Sequence, residues 1–134
     1  MAIGQFNGYF NQTIQEEKFM KLIKTNKEEI KKSKFIAYYY ELDTTEDIKI
    51  IIDELKKEHK KAKHIVYAYK FGNTAGKTDD KEPSGTAGLP LYNLLEVNNL
   101  NNKMIVVVRY FGGIKLGAGP LMRAYKNAGV SVIN

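Results

Sequence analysis

The most regular pattern in the chain lies between Asp43 and His59. Ile48, Ile51, Ile52 and Leu55 fall at i, i+3, i+4 and i+7, which puts them on one face of a helix running to about His59. Asp43, Thr44 and Thr45 offer N-cap oxygens ahead of it. Glu46 and Asp47 suit the positive end of the helix dipole, and Lys56, Lys57, Lys60 and Lys61 suit the negative end. From His64 to Phe71 the period changes: Ile65, Tyr67 and Tyr69 alternate with Val66, Ala68 and Lys70, the two-residue repeat of a strand. Met104 to Tyr110 is apolar until Arg109 and reads as a buried strand.

The remaining elements carry weaker signals. Lys18 to Lys24 reads as a strand, Thr25-Asn26 as a turn, and Glu28 to Glu41 as a second strand rich in aromatic and β-branched residues, together an antiparallel hairpin. Gly72 to Asp80 reads as a polar loop that continues through Pro83 to Gly88. Pro90 then opens a short helix with Leu91, Leu94 and Leu95, ending near Asn98-Asn99. Gly112, Gly113, Gly117 and Gly119 make a Gly-rich turn, and Leu121 to Val132 a closing helix. The order β-β-α-β-α-β-α predicts a mixed α+β or α/β two-layer sandwich, with the helices in one layer. Residues 1–15 show no periodicity and read as a loose arm before a single domain at 16–134.

Composition narrows the function classes. The 134 residues include no cysteine, which removes disulfides, thiolate nucleophiles and cysteine metal sites. The longest apolar run, Met104 to Val108, is far short of a membrane span, and the N-terminus lacks the basic and apolar regions of a secretory signal. The expectation is a soluble cytoplasmic domain. A net charge of +6 makes association with polyanions a natural reading. Of the 21 cationic residues only Arg109 and Arg123 are arginine, the rigid fork suited to carboxylate or phosphate.

Four features could carry chemistry. The passage from Tyr110 to Pro120 follows a strand and opens a helix, where free backbone N–H groups can face an anion, with Lys115 and Arg123 adding charge. It matches neither a Walker loop nor a dinucleotide fingerprint, and tight strand–helix packing also explains its glycines. The segment Asp79 to Gly88 gathers Asp79, Asp80 and Glu82 beside the hydroxyls of Ser84 and Thr86; a solvated turn with helix caps is the plainer alternative to a cation or phosphate site. His59 reads as exposed, whereas His64 could reach a cleft if the acidic loop folds over it. A triad of His64, Ser84 and Asp80 can be drawn but has no supporting spacing. Tyrosines and phenylalanines on strands flanked by Lys31, Lys32, Lys34 and Lys70 could stack bases of single-stranded RNA, though half of each strand's rings must serve the core.

KKSKFIA (31–37), His64 with Tyr67-Ala68-Tyr69, DDKEPSGTAG (79–88) and VVVRYFGGIKLGAGPLMRAY (106–125) together resemble the N-terminal domain of the Impact/YigZ family, from about Phe19 to the C-terminus. That family usually has glycine where this chain has Lys81 and Pro120. Its bacterial members usually continue into a ferredoxin-like domain, which has no counterpart in these residues. The resemblance implies a ribosomal-protein-like fold similar to domain IV of elongation factor G, with a left-handed βαβ crossover. Eukaryotic members resemble regulators of translation that compete for the activator of a stress-response kinase.

The resulting expectation is a non-enzymatic, translation-associated regulatory module that binds RNA or the translation apparatus, with no catalytic residue, metal or cofactor. Its anion contacts would be Lys34, His64, Ser84, Thr86, Arg109, Lys115, Gly117 and Arg123. Asp80 and Glu82 would orient the arginines, and Gly112 and Gly113 would shape the turn. The alternatives are a phosphate- or nucleotide-binding small-molecule enzyme and a protein-interaction regulator. The sequence leaves the oligomeric state open.

Overall fold

A computed structural model describes residues 21–134. The arm assigned to residues 1–15, and the start of the strand expected from Lys18, lie outside the described residues. The elements run β1 (Leu22–Ile30), β2 (Ser33–Glu41), α1 (Glu46–Glu58), β3 (His64–Phe71), β4 (Thr74–Thr78), α2 (Gly88–Val97), β5 (Lys103–Tyr110) and α3 (Ala118–Ile133). The five strands form one antiparallel sheet in the order β1-β2-β5-β3-β4.

The pleat sends alternate residues to opposite faces, and both faces are covered. On one face Phe35, Ala37, Val66, Ala68, Ile105 and Val107 pack against Leu91 and Leu95 of α2 and Leu121, Ala124 and Tyr125 of α3. On the other face Tyr38, Tyr40, Ile65, Met104, Val106 and Val108 pack against Ile51 and Leu55 of α1. The molecule is therefore a helix–sheet–helix arrangement, not the two-layer sandwich with one helical layer that the sequence predicts. The unbroken apolar run of β5 is the reason: a strand inward-facing on both sides needs a cover on each.

This layering fixes a topological point. The connections β2–α1–β3 and β4–α2–β5 each join parallel strands across one intervening strand. A half-turn about the sheet normal superimposes their strand directions, but their helices lie on opposite faces. The two crossovers therefore have opposite hands, and one is of the rare left-handed kind.

Three local expectations are corrected. The first hairpin exists, but its turn is Lys31-Lys32, both at positive φ (47° and 69°), rather than Thr25-Asn26, which lies within β1. The polar loop after Phe71 contains strand β4, paired to β3 through a two-residue turn at Gly72-Asn73. Gly72 there has φ 58°, matching the glycine-first hairpin turn. At α1, Thr45 makes no side-chain cap. Asp47 Oδ2 instead accepts from the backbone N–H of Asp43 (2.8 Å) and Thr44 (3.1 Å), and from Lys21 Nζ (3.0 Å).

Candidate functional site

The sequence-nominated residues gather at the end of the sheet where β2 and β3 begin and β5 finishes. Register places Arg109 between Phe35 on β2 and His64 on β3, all on the face covered by α2 and α3. Arg109 is 5% exposed. Its Nη1 donates to Glu82 Oε2 at 2.8 Å and its Nη2 to Ser33 Oγ at 3.3 Å, while Nε has no partner among the described residues. The guanidinium lies over the rings of Phe35 (5.4 Å) and Phe111 (5.7 Å). Tyr125 Oη on α3 donates to the same Glu82 oxygen at 2.5 Å, and Ser33 Oγ also accepts from the Gly112 N–H at 3.2 Å. Burial and the adjacent Glu82 carboxylate push the Tyr125 phenol far above its ordinary range, so it stays a donor.

The acidic loop closes over this cluster, and each of its carboxylates accepts at least one hydrogen bond. Asp79 accepts from the backbone N–H groups of Gly85 (2.9 Å), Ala87 (3.2 Å) and Gly88 (2.8 Å). Burial opposes its ionisation, but these donors outweigh that and hold the carboxyl below its ordinary value. Asp79 thus supplies the anion at the start of α2, where a phosphate was conceivable. Asp80 Oδ2 accepts from the Ile65 N–H at 2.7 Å. Its backbone carbonyl accepts from His64 Nδ1 at 2.6 Å, which turns Nε2 toward Glu82 Oε1 at 3.5 Å. His64 therefore meets the Asp80 backbone and not its carboxylate, and no triad with Ser84 exists.

Several nominated contacts accordingly point inward. Arg109 and His64 are buried, and Thr86 Oγ1 is spent on the Pro83 carbonyl (2.5 Å). Glu82 pairs with an arginine as expected, whereas Asp80 does not. Ser84, Lys34, Lys115, Gly117 and Arg123 are exposed. Lys34 projects from the sheet face opposite Arg109. Among the described residues neither Lys115 nor Arg123 meets an acid. The N-terminus of α3 differs from that of α2: Gly117 provides no side-chain cap, and the Ala118 and Gly119 N–H groups meet no acceptor among the described residues. Gly112 packs so closely on the Lys32 carbonyl that a Cβ would overlap it, which brings the Lys31-Lys32 turn against the Gly-rich loop. Gly113, at φ 93°, makes the bend. Arg123 also rims a shallow groove of about 370 Å³ between α2 and α3, with Leu89, Val97, Met122 and Lys126.

One buried site was missed. His59, expected to be exposed, is 9% exposed at the end of α1. Its Nε2 bonds Tyr38 Oη at 2.7 Å and its Nδ1 bonds Tyr110 Oη at 2.6 Å. Burial pushes the Tyr38 phenol up to about 12 and draws the imidazole below its ordinary value, with Glu58 opposing the latter. Only the spacing of His59 from Leu55, i to i+4 on the buried stripe, signals this in the sequence.

Among the described residues no helix is long and apolar enough to cross a membrane. Comparison with known proteins gives a consistent result. A Haemophilus influenzae protein named IMPACT family member is 43% identical over 105 residues, 75% of this chain and 51% of its own. Escherichia coli YigZ, another IMPACT family member, is 41% identical over 103 residues, 73% of this chain and 50% of its own. This chain thus spans about half the length of these relatives. A crystal structure described only as a hypothetical protein superimposes with TM-score 0.77 at 36% identity, covering 81% of this chain and 55% of the other. The two-domain translational regulator Yih1 shares the fold at TM-score 0.51 and 22% identity, over 84% of this chain and 46% of its own. Residues 31–133 match the Impact N-terminal domain, and the chain belongs to that family.

Proposed function

We propose that this chain is a cytoplasmic, translation-associated regulatory module that contacts RNA of the translation apparatus without catalysing a reaction. The observation carrying the reading is the contrast between the two helix starts. The start of α2 is filled by Asp79, whereas among the described residues the start of α3 presents N–H groups without acceptors, beside Lys115 of the exposed Gly-rich loop and Arg123 of α3, neither of which meets an acid. An RNA phosphate is the ligand for such a terminus. The buried Glu82–Arg109–Tyr125 cluster serves as its scaffold, since it ties the acidic loop and α3 to the sheet. Family membership and the fold shared with a translational regulator support the setting.

Titration of labelled RNA by anisotropy at two salt concentrations tests this. The wild type should bind with an affinity that falls with salt, and the Lys115→Ala/Arg123→Ala variant should bind more weakly with a shallower slope. Each lost phosphate contact removes about 0.7–0.9 from the log–log slope. Absence of binding at low salt overturns the RNA reading and turns attention to protein partners at the α2–α3 groove.

A further inference from the structure

A concavity of about 610 Å³ lies on the opposite face, between α1 and the strands β3 and β4. Its floor carries Tyr67 and Tyr69, half-buried, with ring centroids 6.2 Å apart and planes 24° from parallel. Ile48 and Ile52 of α1 and Ile65 of β3 supply apolar walls, and Thr74, Thr78 and Asp80 supply polar edges. Among the described residues Asp80 accepts a hydrogen bond at one oxygen, Oδ2, from the Ile65 N–H. The charges lining the groove cancel: Lys49 and Lys56 against Asp53 and Asp80. Lys49 is already paired with Asp53 at 2.8 Å.

Beyond Lys56 the balance changes. Lys57, Lys60 and Lys61 follow at the carboxyl end of α1 and are exposed, and Lys57 lies near enough to Asp53 to help hold its carboxyl below its ordinary value. A neutral, aromatic-floored groove with Lys56 on its lining and further exposed lysines next in the chain has the polarity of a nucleotide: an uncharged planar base joined to a charged phosphate. Tyrosine rings accept any base by stacking, and a carboxylate edge accepts an exocyclic amino group.

We infer that the Tyr67–Tyr69 groove holds a nucleobase whose phosphate lies toward Lys56, Lys57, Lys60 and Lys61. The inference deepens the RNA reading and rests on it, since single-stranded RNA is one source of that chemistry; a free nucleotide is the other.

The test titrates a labelled single-stranded RNA ten-mer and the matching nucleoside monophosphates. The proteins are the wild type, Tyr67→Leu/Tyr69→Leu, Tyr67→Phe/Tyr69→Phe, and Lys57→Ala/Lys60→Ala/Lys61→Ala, each checked for an unchanged melting transition. The leucine variant should lose roughly ten-fold or more in affinity with its salt slope unchanged, the scale of base stacking on aromatic rings. The phenylalanine variant should retain wild-type affinity. The lysine variant should show a slope shallower by about 2. Where a leucine variant no longer melts as the wild type, quenching of wild-type tyrosine emission on titration decides the point, with its absence counting against the groove. Ten-mer affinity unchanged in the leucine variant overturns the groove, and leaves the RNA reading standing if Lys115→Ala/Arg123→Ala weakens binding. Equal losses in the leucine and phenylalanine variants also overturn stacking. Monophosphate binding without ten-mer binding supports the groove and defeats the RNA reading. Binding of neither defeats both.

Discussion

Glu82 is the residue that joins the side chains of the buried cluster. It meets Arg109, Tyr125 and His64 while itself 7% exposed. A buried pair adds little net stability over an apolar replacement, but removing one partner strands the other charge. Glu82→Gln should therefore destabilise the domain by about 3–5 kcal/mol in urea unfolding, whereas Glu82→Leu/Arg109→Leu should recover much of that loss. His59 gives a pH effect of definite sign. Its folded value lies below the ordinary 6.5, so the unfolded chain binds the proton more readily. Stability is complete above that ordinary value and falls as pH drops through it, with a slope of at most about 1.4 kcal/mol per pH unit. Unfolding midpoints between pH 7.5 and 5 should show this, and His59→Gln should flatten the dependence. Residue type alone indicated that Glu82 would meet an arginine. That the pair is buried depends on the loop folding over β5, a long-range event without local signature.

At the scale of elements, the contact between the Gly-rich loop and the first hairpin is the most constrained. The Cβ of Gly112→Ala would overlap a backbone carbonyl, which cannot swing aside as a side-chain end can. The variant should lose about 1–3 kcal/mol, the usual cost of overpacking, read as a lower urea midpoint. The elements with strong periodicity were legible in the sequence: β3 spans His64–Phe71 and α1 ends at Glu58, both close to expectation. The first hairpin was misplaced because Lys31-Lys32 carries none of the asparagine or glycine that marks such a turn, while Asn26 does. Strand β4, Thr-Ala-Gly-Lys-Thr, has little β propensity and exists through its pairing with β3. The adjacent Gly72-Asn73 was the signal available for it. Of the candidate site, the chemical types were readable, but inward or outward orientation was set by strand register.

For the whole molecule, β5 is the hub. It pairs with β2 on one side and β3 on the other, and Met104 to Val108 are fully buried. Its amides should show the slowest hydrogen exchange, close to the global unfolding limit, with those of the edge strand β4 exchanging much faster; exchange followed by NMR checks the order. The second helical layer was not foreseen because the stripe on α1 says that a helix packs, not on which face of the sheet. The faces are chosen by the connections.

The central place of β5 also bears on how the chain comes into being. Among the described residues β1 pairs only with β2, and β4 only with β3, so residues 21–102 contain two hairpins that share no backbone ladder. Each keeps an open edge until residues 103–110 slot between them. A chain growing from its N-terminus therefore cannot assemble this sheet progressively. It carries two half-sheets until β5 has been made, then joins them in one non-local step, the kind of closure that slows folding.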